Sequence, residues 1–197
     1  MKTTTWLHLF FESLRHSREK KSGLDGDFTE FIGLVMDKMA KNLNCKVVRR
    51  RAEGGENSGE YLCIDFFFLD ENDYSGISYK EWDSYVLPKA VVEHENPYEV
   101  KKVCYCLWKV LCIRVPLKVL ICYQKSNPIP ELVKKLEEVI WNGELMKGSN
   151  SNLLVLIGDE NSSDDTEWSD YYSVFEWRND RLEKIDSPQC STRKDKK

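Results

Sequence analysis

The chain has 197 residues, 41% hydrophobic and 31% charged, with 29 Lys and Arg against 33 Asp and Glu and a formal net charge of −4. That length suits one domain with a full core and is short for two. No apolar run reaches the roughly 18 residues of a membrane-crossing helix, and a pI near 5.5 argues against bulk-charge coating of nucleic acid, though not against a site-directed contact. Charge is uneven: residues 1–51 hold 11 basic against 6 acidic side chains and the remainder 18 against 27. Arg49, Arg50 and Arg51, after Lys46, form either a phosphate-facing patch or a solvated strand end. The N-terminal stretch has one early Lys and no small-residue cleavage site, a poor signal peptide. Together with an odd count of seven cysteines this points to a reducing, cytoplasmic compartment.

Thr5 to Lys21 reads as a helix, with Trp6, Leu7, Phe10, Phe11 and Leu14 on one face and a break at Ser22-Gly23. A second helix, capped by Asp25 or Asp27, carries Phe28, Phe31, Ile32, Val35, Met36, Met39 and Leu43 at helical spacing and ends at Asn44. Cys45 to Arg51 reads as a strand, Ala52 to Gly59 as a Gly-rich turn, and Tyr61 to Leu69 as a strong strand with Asp65 isolated among apolar residues. A polar connector, Asp70 to Pro88, leads to a buried strand from Lys89 to Glu95. Asn96, Pro97 and Glu99 then open a helix that runs to about Arg114 and stops before Pro116. Leu117 to Tyr123 is a buried strand, Pro128 to Met146 an amphipathic helix, and Leu153 to Ile157 another buried strand. An acidic loop follows, then a hairpin over Tyr171 to Ile185 turning at Asn179-Asp180.

The chain is therefore read as a single α/β domain over residues 1–186, with residues 187–197 a disordered polar tail. The strand of Glu93, the helix after it and the Leu117 strand make a right-handed βαβ unit, and the earlier strands an antiparallel meander. The expected fold is a three-layer sandwich with a mixed sheet and a C-terminal hairpin.

Function is read from Val91-Val92-Glu93-His94-Glu95-Asn96-Pro97. Side chains alternate along a strand, so Glu93 and Glu95 share a face about 6.6 Å apart and His94 points the other way. Buried carboxylates are costly unless a metal ion, Arg or Lys compensates them. The bland alternative makes Asp65 a structural carboxylate bonded to a loop, and Glu93 and Glu95 strand-end partners of Arg or Lys. His94 reads as structural, and Glu12 and Glu30 as solvated. Cys104 and Cys106 stand about 200° apart on a helix, which does not suit a metal pair. The six acids between Asp159 and Asp170 lack the spacing and central Gly of a calcium loop. No Gly-rich loop leads from a strand into a helix, since the Ala52 to Gly59 turn leads into another strand, which weighs against a Rossmann-like transferase.

The element order, with Asp65 and then Glu93-His94-Glu95, resembles the restriction-endonuclease-like fold, the PD-(D/E)XK nuclease superfamily, over roughly residues 25–125. That family's core runs helix, three-strand meander, helix, strand, with an acid on the second strand and (D/E)xK ending the third. Here Ile64 precedes Asp65 where the family pattern has Pro, and Glu95 stands at the Lys position, as in a few type II restriction enzymes. In other members the Lys comes from a neighbouring element. The resemblance implies a metal-dependent nuclease acting on DNA. Its catalytic residues are then Asp65, Glu93, Glu95 and, as the lysine, Lys101; Asp65 and Glu93 hold Mg²⁺ or Mn²⁺. The alternative it implies is a catalytically inactive member serving as a binding or regulatory module.

Overall fold

Strands that are apolar on both sides can satisfy their backbone N–H and C=O groups only by pairing with one another, under helices that cover both faces. The computed structural model describes residues 1–16, 28–49, 64–70, 87–96, 99–125, 128–163 and 166–188. The caps at Asp25 and Asp27, Arg50 and Arg51, the Gly-rich turn, most of the 70–88 connector, Pro97 and the tail beyond 188 lie outside the described residues. The elements are α1 (Thr3–His16), α2 (Phe28–Asn42), β1 (Cys45–Arg49), β2 (Phe66–Asp70), β3 (Ala90–Glu95), α3 (Val100–Leu111), β4 (Leu117–Gln124), α4 (Ile129–Asn142), β5 (Asn152–Asp159), α5 (Trp168–Tyr171), β6 (Tyr172–Arg178) and β7 (Arg181–Ile185).

All seven strands form one mixed sheet in chain order, β1 through β7. β1, β2 and β3 make the antiparallel meander, with Phe66 opposite Val92 and Phe67 opposite Val91. β3, β4 and β5 run parallel, with Glu93 opposite Leu120 and Leu120 opposite Val155. β6 and β7 close the antiparallel C-terminal hairpin. Its turn at Asn179 and Asp180 has φ of 49° and 58°, the left-handed pair a two-residue hairpin turn requires. β4 is buried along its whole length, the centre of the sheet.

Alternation along the strands divides the core in two. Phe66, Phe68, Val92, Val119, Ile121 and Leu154 pack with Trp6, Phe10, Phe31 and Met36 of α1 and α2. Phe67, Val91, Leu120, Cys122 and Val155 pack with Val103 and Leu107 of α3 and Leu136 and Ile140 of α4. Burying such a side chain contributes about 1.5–3 kcal/mol, so a one-residue slip of β3 would expose one set and lose the other. The faces of Glu93 and His94 are fixed by this constraint.

Four sequence expectations are corrected. The strand expected from Tyr61 begins, within the described residues, only at Phe66, leaving Asp65 in a bend just before it. Asn96 does not cap α3: its side-chain amide donates to Thr29 Oγ1 (2.9 Å), and the helix starts later, at Val100. Trp168–Tyr171, read as the end of a loop and the start of a strand, is the short α5, because Trp168 and Tyr171 are buried in the α1–α2 core and one helical turn carries both inward. Arg49 is neither phosphate-facing nor a solvated strand end; its guanidinium donates to Asp37 and to the Gly33 carbonyl of α2. Among the described residues no helix is long and apolar enough to cross a membrane.

Candidate functional site

At the end of β3 the ladder gives way to side-chain bonds. The last β2–β3 pair is Phe66 with Val92; one step further on, Asp65 and Glu93 would face each other. Instead of exchanging backbone bonds, each residue uses its carboxylate. The Asp65 backbone N–H donates to Glu93 Oε1 (3.2 Å), and the His94 backbone N–H donates to Asp65 Oδ2 (2.9 Å). This exchange takes Asp65 out of the strand and fixes both carboxylates on the α3–α4 side of the sheet.

Glu93 is only 1% exposed, so its charge needs a partner. Lys109 of α3 supplies it, with Nζ 2.6 Å from Glu93 Oε2. Burial nevertheless raises the Glu93 carboxyl to about 7, the Asp65 charge pushes the same way, and the Lys109 bond pulls back without prevailing. Burial works against the Lys109 ammonium, but its bond to Glu93 outweighs that and moves its pKa upward. The two shifts agree on the sign of the pair: it favours the ionised form on both partners, and on Glu93 it is outweighed by burial and by Asp65.

Glu95 shares the face of Glu93, as alternation requires, but is drawn aside: Cys106 of α3 donates its thiol to Glu95 Oε2 (2.9 Å). Burial raises the Cys106 thiol, reinforced by that bond and by the Glu93 charge, so it stays protonated and keeps donating. His94 points into the opposite core, as expected of a structural histidine, its Nε2 2.8 Å from the Tyr123 hydroxyl. Burial lowers its pKa to about 3, which keeps the ring neutral.

Lys101 does not reach this cluster through any ion pair of the described residues. It is exposed on the outer side of α3, and the lysine brought to Glu93 is Lys109, two helical turns further along. Lys102 pairs with Glu99 at 3.2 Å in solvent. Helical angle alone places Lys109 away from the Val100, Val103, Leu107 and Leu111 stripe. The buried face of α3 also includes Cys106 and Val110. Lys109 stands only about 60° round the helix from Cys106, within reach of a long side chain. Counting Cys106 as a core residue would have revealed it. Glu12, 42% exposed beside His8, and Glu30, exposed on α2, are surface residues as expected.

The carboxylate oxygens of Asp65 and Glu93 suit a hard divalent cation, and Mg²⁺ commonly takes only one or two protein carboxylates while keeping several waters. The Glu93 carboxyl is raised first by burial and then by the Asp65 charge, and the one ammonium does not offset the two. In donor chemistry and charge the two residues therefore fit Mg²⁺ or Mn²⁺. Among the described residues no group of three or more His, Cys, Asp or Glu side chains is arranged to hold a metal, and Glu95 is turned to Cys106. Comparison with family models, curated proteins and solved structures finds no match for this chain.

Proposed function

We propose that the protein is a metal-dependent phosphodiesterase acting on DNA, built on a three-layer restriction-endonuclease-like core formed by α2, β1, β2, β3, α3 and β4. The observation that carries this reading is the cluster of Asp65, in the bend before β2, and Glu93 of β3, tied to each other through backbone N–H bonds, with the Lys109 ammonium seated on Glu93. Two acids and a lysine are what phosphodiester hydrolysis asks of a protein: oxygen ligands for a cation and a fixed positive charge for the phosphoryl oxygens. Lys109, from the helix that follows, supports the assignment of a lysine displaced from the strand position that Glu95 occupies. A bound Mg²⁺ or Mn²⁺ would supply charge at the phosphoryl oxygens and acidify the attacking water. Asp65 and Glu93 would hold it. Lys109 orients Glu93 and presents positive charge to the phosphate, and Glu95, whose Oε2 accepts from Cys106, orients the water or takes its proton through its other oxygen.

One observation favours the inactive alternative: Glu93 is nearly fully buried, and both its oxygens already accept hydrogen bonds. Titration calorimetry with Mn²⁺ separates the two readings. The active reading predicts saturable binding near one ion per chain. Because Glu93 sits at about 7, binding at neutral pH should release part of a proton, and the apparent heat should change with the ionisation enthalpy of the buffer. Asp65→Asn and Glu93→Gln should each abolish that heat. No heat in the wild type, or unchanged heat in both variants, would leave only a binding module.

A further inference from the structure

We propose that the exposed Tyr105–Trp108 pair on α3 is a ledge on which an unpaired nucleobase of the substrate strand stacks, so that the adjoining phosphate meets Lys109 and the carboxylates. This rests on the phosphodiesterase reading and narrows its substrate to nucleic acid with an unstacked base. Tyr105 is 59% exposed and Trp108 47% exposed, although most large aromatic side chains of the described chain are buried. Their rings lie nearly parallel, 21° apart, with centroids 5.8 Å from each other, an offset arrangement that presents a broad aromatic surface to solvent. Trp141 is also exposed, but its indole N–H donates to the Asp180 carbonyl (2.9 Å), which gives it a structural role.

The ledge is continuous with the candidate site. Lys109 Nζ lies 5.6 Å from the Tyr105 ring centroid and 2.6 Å from Glu93. Trp108, Tyr105, Lys109 and Glu93 thus form an unbroken line from solvent to the buried carboxylate. Positive charge lies beside the ledge: of the α3 lysines, Lys102 is paired with Glu99 and Lys109 with Glu93, and Lys101 is exposed with no ion pair among the described residues. Lys101, exposed one turn before Tyr105, stands where the phosphate on the far side of a stacked base would run. Aromatic faces flanked by lysines bind single strands with little sequence preference, because every base has a π-face, whereas a paired base in a duplex is hidden from them.

The test is fluorescence anisotropy with a labelled mixed-sequence single-stranded DNA oligonucleotide and the matching duplex. Ca²⁺ replaces Mg²⁺ so that the strand is held and not cut. Wild type should prefer the single strand. Tyr105→Ala and Trp108→Ala should each weaken that binding about tenfold, while Tyr105→Phe and Trp108→Phe restore it to within about twofold, since a ring remains. Unchanged Mn²⁺ calorimetry in the alanine variants would show that the site beneath is intact. Single-strand affinity equal to wild type in both alanine variants would overturn the ledge and leave the phosphodiesterase reading standing. Wild type that binds neither oligonucleotide would overturn both. If sedimentation shows the wild type self-associating and the alanine variants monomeric, with oligonucleotide affinity unchanged, the surface is an interface between copies of the chain and the proposal is wrong.

Discussion

Glu93→Gln is expected to stabilise the metal-free protein at pH 8 by about 3 kcal/mol. The figure follows from a carboxyl raised from 4.5 to about 7 in the folded chain. The folded state holds this proton more tightly than the unfolded state does. Its contribution to stability is therefore fully present below about pH 4.5 and is lost as pH rises through about 7, opposite to the usual salt-bridged acid. Glutamine keeps an oxygen for the Asp65 N–H and never ionises. Lys109, at the edge of the cluster, retains Asp65 as a nearby negative charge. His94 runs in the other direction: with its pKa lowered to about 3, its contribution is present above its ordinary value and lost as pH falls. His94 is common to both proteins, so it cancels in the difference. Urea unfolding of wild type and Glu93→Gln should show a gap of about 3 kcal/mol at pH 8 shrinking below about 1 at pH 5. A variant less stable than wild type at both values would mean that the Lys109 pair outweighs burial and Asp65.

Lys109→Met separates a structural lysine from a catalytic one. Removing the ammonium takes its charge away from Asp65 and Glu93, which should move the Glu93 carboxyl above 7 and cost about 1–3 kcal/mol at pH 8. Proton uptake by Glu93 keeps the cost below that of a permanently ionised orphan. Adding Glu93→Gln should return most of the lost stability, because the pair is coupled. Activity should behave differently. A positive charge aimed at the developing oxyanion contributes a factor of about 100 or more, so Lys109→Met alone should lose at least that in turnover while Mn²⁺ calorimetry still shows the metal bound. Lost turnover in Lys109→Met with the metal still bound marks a lysine that acts on substrate; full activity in Lys109→Met would make it only the structural partner of Glu93.

Much of this was legible in the sequence. The apolar runs at Val91, Leu117 and Leu153 became the central strands, Asn179-Asp180 became the hairpin turn, and period-two alternation set Glu93 and Glu95 opposite His94. Periodicity states which face a residue occupies. It does not state how far a flexible side chain reaches or what lies across from it. Lys109 was missed because four methylenes carry its charge round the flank of α3, and Lys101, nearer the helix start, faces solvent. The Asp65 bond to His94 joins residues 29 apart through a carboxylate that replaces a ladder bond, and no local pattern announces such a substitution. The Asn96 side chain looked like a cap because its sequence neighbours Pro97 and Glu99 suit one, yet it serves Thr29 across the fold. The turning of Glu95 to Cys106 depends on the crossing of α3 over β3, a tertiary fact.

Cleavage of supercoiled plasmid and of single-stranded DNA oligonucleotide in Mg²⁺ or Mn²⁺, wild type beside Asp65→Ala, tests the central claim most directly. Asp65 lies outside the ladder and is only half-buried, so the substitution should leave a folded protein whose melting can be checked alongside. Metal-dependent strand scission by wild type, abolished by EDTA and by Asp65→Ala, is the predicted result. A folded wild type that cuts neither substrate with either metal, or an Asp65→Ala protein that cuts as well as wild type, would contradict it.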